Sequence, residues 1–101
     1  MDLSIIEPAD IPSRIGTETV FTGTAIYITN GQRVLNLPSN IFSPSTRVTV
    51  SIVEVDGNNV PFIGSARMTV HNVRPYQGGV HTWVNIEWSS ALRIRASFFW
   101  E

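Results

Sequence analysis

The 101-residue sequence contains no cysteine, and all seven of its basic residues are arginines, so it has no lysine either. Without cysteine, disulfides and thiolate metal sites are excluded, and stability must come from burial, hydrogen bonding and association with other chains. Lysine is a residue that exposed sheet edges commonly use to repel neighbours. Its absence points to edges that are paired or covered, the alternative being a compositional bias. Charge is sparse: 15% of residues are charged, and eight carboxylates against seven arginines leave a net charge of -1. That balance lacks the basic footprint of nonspecific nucleic-acid binding, so no nucleic-acid partner is expected. No apolar run approaches the roughly 20 residues that span a bilayer, and no membrane insertion is expected. The start, Met1-Asp2-Leu3-Ser4, lacks the basic region and apolar stretch of a signal peptide, which predicts synthesis in a cytoplasm.

The chain has one pattern in abundance, alternation. Leu92, Ile94, Ala96, Phe98 and Trp100 fall on one face of a segment whose other face carries Arg93, Arg95, Ser97 and Phe99. Strict alternation over that length predicts a strand with one face in a core. The second face, mixing charge with one large ring, reads as a contact surface. Five further β segments precede it: Val20–Thr29, Arg33–Leu37, Ser45–Val55, Phe62–Val73 and Val80–Trp88. Turn residues separate them, namely Asn30-Gly31 as a type I′ hairpin turn, Pro38–Pro44 with Ile41 and Phe42 as anchors, Asp56–Asn59, Pro75–Gly79 and Ser89-Ser90. No segment sustains a helical period. The expected fold is therefore all-β, a single six-stranded antiparallel β-sandwich over residues 19–101. Residues 1–18, with Pro8 and Pro12 opposing both helix and central strand, read as an extended arm. Its apolar residues Leu3, Ile5 and Ile6, with the two prolines, are the candidates for docking onto a neighbouring protein, although packing along its own domain fits nearly as well.

Candidate chemistry is thin. His71 and His81 flank the Pro75–Gly79 turn and, with Glu87, are too loosely spaced to specify a metal site. Asp56, Asn58 and Asn59 lack the further acidic ligands of a calcium loop and read better as a hairpin turn. No serine stands in a Gly-x-Ser-x-Gly elbow, and Glu54, Asp56 and Glu87 are scattered rather than paired. No enzyme activity, cofactor or metal is expected. Aromatic residues instead crowd the last quarter: Tyr76, Trp83, Trp88, Phe98, Phe99 and Trp100. Phe98 and Trp100 belong to the predicted core. Tyr76, Trp88 and Phe99 remain for an interface or a ligand surface, because such rings offer rigid area with a polar handle.

From Phe42 to Trp100 the chain resembles the H-type lectins, trimeric β-sandwich domains of the snail agglutinin and discoidin type. The resemblance rests on Phe42-Ser43-Pro44 before Arg47–Ile52, on Ala66-Arg67 with Asn72-Val73, and on His81-Thr82-Trp83 before a final aromatic strand. It implies a trimer. The family's sugar contacts, a histidine after the Thr-Trp pair and an arginine before the Ala-Arg pair, correspond here to Val84 and Ile63, so scaffold carries over better than sugar. The expectation is a non-enzymatic homotrimeric assembly module, of the kind bacteriophage virions use as capsid cement, fibre or adhesin. It would trimerise through Arg93, Arg95 and Phe99 and dock another structural protein through its arm. The alternative is a lectin of altered specificity that binds glycan in a subunit cleft through Tyr76, His81 or Trp88.

Overall fold

The computed structural model describes residues 3–16 and 21–101, with residues 11–16 as backbone alone. Within them the chain forms eight strands and no helix: β1 (Ser4–Ile6), β2 (Asp10–Gly16), β3 (Phe21–Thr29), β4 (Gly31–Pro38), β5 (Val48–Glu54), β6 (Arg67–Tyr76), β7 (Gly79–Glu87) and β8 (Leu92–Trp100). They make two four-stranded sheets, sheet I in the order β1-β4-β7-β6 and sheet II in the order β2-β3-β8-β5. The start of the strand expected from Val20 lies outside the described residues.

The inward faces of the two sheets share one core. Leu35, Leu37, Val80, Val84 and Ile86 come from sheet I, and Ala25, Tyr27, Ile94, Ala96, Phe98 and Trp100 from sheet II, with Phe42 closing one end. Each set alternates along its strand, as period-two geometry requires. Tyr27 crosses the layer: its ring is fully buried and its hydroxyl donates to the Asn36 carbonyl oxygen of β4, 2.7 Å away. Burial, then the charges of Glu7 and Tyr76, push its pKa far above the ordinary value, so it serves as a neutral donor.

One buried hydroxyl has no such partner. Thr82 faces the core from β7, fully buried, and its Oγ1 bonds to nothing among the described residues. Valine has nearly the same shape without the hydroxyl to desolvate. Thr82→Val is therefore expected to raise stability by about 1 kcal/mol, read as a higher denaturant midpoint at unchanged slope.

Two expectations need correction. The strand count rises from six to eight because residues read as an extended arm supply one strand to each sheet. β1 pairs in parallel with β4, and β2 runs antiparallel to β3, so the sandwich is not wholly antiparallel. The Ala9 amide donates to the Ile26 carbonyl at 2.6 Å as the chain crosses between sheets. Pro12 is tolerated because the β2 register shifts between Asp10 and Ser13, where a ladder donor is dispensable.

The second correction concerns Asn30-Gly31, which joins strands of different sheets and is not a hairpin turn. Gly31 has φ 75°, whereas Asn30 is not left-handed as a type I′ turn would need. The Asn30 amide instead donates to the Trp88 carbonyl at 2.8 Å, tying this corner to the β7–β8 corner. The 75–79 turn does close a hairpin, β6 to β7, but Pro75 lies inside β6 rather than ending it. β6 is an edge strand, where a missing N–H costs little. Residues 62–66, expected in that strand, precede it.

Candidate functional site

The two outer faces of the sandwich differ in character. On sheet II the strand registers of β3, β8 and β5 set up rows of outward residues: Thr22–Phe99–Thr49, then Thr24–Ser97–Ser51, then Ile26–Arg95–Val53. The first two rows hold five hydroxyls, one aromatic ring and no charge. Phe99 stands on a central strand yet is 46% exposed, while its neighbours Phe98 and Trp100 are 0% and 6% exposed. Beside it runs an open groove of about 310 Å³ lined by Arg47, Val48, Thr49, Trp100 and Glu101. The Arg47–Glu101 ion pair at its rim, 2.8 Å long, is well exposed and contributes little to stability.

The other two residues named for this surface are less available. Arg93 donates from Nε to Asn59 Oδ1 at 2.9 Å, which holds it to the 56–61 turn. That turn is itself closed by Asp56, whose Oδ1 accepts from the Asn58 and Val60 amides at 2.8 and 3.0 Å. Asn59 takes a left-handed φ of 61°. Asp56 thus spends its carboxylate on its own backbone, the role of a turn residue. Arg95 is half-buried, with Nε buried and unpartnered among the described residues.

On sheet I the outward face is polar and aromatic. A bulge between Val70 and Asn72 turns His71 outward and returns Val73 to the core side. The His71 ring packs against Trp83 at 4.6 Å, and Trp83 Nε1 donates to Gln32 Oε1 at 2.7 Å. One register step away, Tyr76 packs against His81 at 4.5 Å, and the Arg74 guanidinium lies 5.4 Å from the Tyr76 centroid. The Tyr76 hydroxyl donates to Asn36 Oδ1, and Asn36 Nδ2 donates to both Glu7 carboxylate oxygens at 2.9 and 3.1 Å. Gly79 makes this possible: a Cβ there would sit 2.5 Å from the Tyr76 hydroxyl and 2.7 Å from the Leu37 carbonyl. Glu7 thus adds a side-chain tie to the β1–β4 ladder that holds the N-terminal segment to sheet I.

Tyr76 and His81 thus meet within one chain. Trp88 does not join them. It follows β7 at the opposite end of the strand, about 23 Å from His81 at roughly 3.3 Å per residue, and is 44% exposed. Trp83 and Asn36 are the residues that sequence reasoning passed over. The two histidines stack on different rings, and among the described residues no three potential ligands are grouped for a metal. Of the arm residues, Ile6 packs on the core, Leu3 and Pro8 are half-buried, and Ile5 is 55% exposed. The Pro12 side chain lies outside the described residues.

Burial, and after it the Arg74 guanidinium, lower the His81 pKa below its ordinary 6.5, with Glu7 opposing the shift. Protonation in the folded state then lags that in the unfolded chain, so the unfolded chain binds more protons in mild acid. The stability contributed by neutral His81 is complete above about pH 6.5 and is lost as pH falls from there toward the lowered folded-state pKa. Denaturation midpoints compared between about pH 7.5 and about pH 5 are expected to fall less for His81→Gln than for the wild type.

The positions at which H-type lectins contact sugar are not assembled. Val84 is fully buried in the core, and Ile63 is fully exposed in the connection between β5 and β6. No protein-family model, curated protein or solved structure matches the chain.

Proposed function

We propose that the protein is a non-catalytic assembly module whose copies associate through the outer face of sheet II. The observation that carries this reading is Phe99, nearly half exposed near the end of central strand β8 between Thr22 and Thr49. A flat surface without charge in its upper two rows carries no like-charge repulsion against a second copy of itself, and a ring among hydroxyls supplies the apolar anchor that interfaces favour. The groove beside Phe99 gives the next copy a place to seat its own ring. The resemblance of Phe42–Trp100 to trimeric sandwiches favours three copies. A repeated, self-associating unit of this kind suits a structural component such as a virion protein.

Hydroxyl-radical footprinting over a concentration series tests the reading, with Ile63 as an internal standard because it is fully exposed in the connection beyond Glu54, at the end of β5 opposite Thr49 and Phe99. Oxidation of Phe99 is expected to fall relative to Ile63 as concentration rises. Equal labelling of both at every concentration contradicts it.

A further inference from the structure

The outer face of sheet I lies on the opposite side of the sandwich from Phe99 and carries a feature that assembly does not use. Val34, Asn72, Arg74, His81 and Trp83 surround a shallow depression of about 180 Å³. We propose that this depression is a binding site for a single carboxylated sugar ring, a uronic-acid type of pyranose.

Size sets the first limit. Drug-sized pockets run to about 300–1,000 Å³, so this depression admits one small ring. Trp83 supplies a wall whose orientation is fixed twice, by His71 and by the hydrogen bond to Gln32. A fixed indole is a stacking surface for the C–H face of a pyranose, with little ordering left to do on binding.

Charge sets the second limit. Arg74 has no carboxylate partner within 4 Å among the described residues, and its guanidinium is steadied over Tyr76. A planar fork of donors matches a carboxylate in two-point contact. Asn72 provides both donors and acceptors, and so does neutral His81, which suits hydroxyls rather than a second charge. The Glu7 carboxylate, held through Asn36 and felt at His81, repels a doubly charged phosphate about twice as strongly as a singly charged carboxylate. One anionic group, one apolar ring face and several hydroxyls together describe a uronic acid.

The probe is D-glucuronate, with D-glucose as its neutral counterpart and inorganic phosphate as a second anion, each titrated while the Trp83 indole N–H resonance is followed. Glucuronate is expected to shift that resonance saturably with about millimolar affinity. Glucose is expected to bind at least about tenfold more weakly, and Arg74→Gln to lose about tenfold for glucuronate with no change for glucose. Arg74 is exposed, so the variant keeps the wild-type fold, which its spectrum reports. Equal response to glucose and glucuronate, stronger response to phosphate, an unchanged Arg74→Gln titration, or no shift at Trp83 with any probe overturns the proposal. The readout is local to sheet I and is the same whether the chain is a monomer or a trimer, so it stands or falls apart from the assembly reading.

Discussion

Replacing Phe98 with alanine is expected to cost about 3–5 kcal/mol, because a fully buried ring leaves both a lost transfer term and a cavity. The ring sits on central strand β8 between Gly23 of β3 and Val50 of β5, with the facing sheet above it. Neither direction offers slack to refill the space. Gly23 has no side chain to move in, and β8 is held by ladders on both edges, which limits backbone collapse. For a domain of this size the change lowers the melting temperature by roughly 4–8 °C per kcal/mol. Since stabilities near 100 residues are about 5–15 kcal/mol, the loss takes at least about a fifth of the total. Thermal and urea denaturation both read the loss.

Its neighbour is expected to behave differently. Phe99→Ser leaves the core untouched, and because just over half of the ring is covered in the monomer, the area rule sets the loss of monomer stability at no more than about 2–3 kcal/mol, below that of Phe98→Ala. Its effect falls on association. A phenylalanine buries on the order of 200 Å² when fully covered, and at 46% exposed it has nearly half of that left to bury against another copy. At about 25 cal/mol per Å² this amounts to about 2 kcal/mol per contact, or about a thirtyfold weakening. Around a closed ring every contact suffers the same loss, so the oligomer gives way over a narrow concentration range. Two adjacent residues, one governing folding and the other assembly, are separated only by the period of the strand.

That period is also why so much of β8 was legible. Leu92 to Trp100 alternates without interruption, and the structure places its two faces as the alternation predicts, with Phe98 and Trp100 inside and Phe99 outside. The same rule applied to Val80–Glu87 puts Trp83 on the side of His81, opposite Val80, Thr82, Val84 and Ile86. The signal for Trp83 was therefore present in the sequence, although its ring was not among those chosen. Alternation failed where the ladder itself shifts. At His71 one extra residue reverses the phase of β6, and nothing in Val70-His71-Asn72-Val73 marks the change.

Connections were harder still. Asn30-Gly31 is compatible with a hairpin and with a corner between sheets, since both need a sharp reversal at glycine; the choice depends on whether β4 finds β3 or β7, a contact of long range. The N-terminal segment failed for a related reason. Pro8 and Pro12 oppose regular central strands, but both edges of this sandwich accept short or irregular strands, and proline falls at the crossing and at the register shift. The Glu7–Asn36–Tyr76 chain joins positions 7, 36 and 76, a juxtaposition no local pattern encodes.

Sedimentation equilibrium of the wild-type protein at micromolar concentration tests the central claim most directly. The account predicts a species of three times the mass of one chain, reduced to a folded monomer by Phe99→Ser at the same concentration. A wild-type protein that sediments as a single chain throughout the micromolar range, with Phe99 as accessible as Ile63, would contradict it.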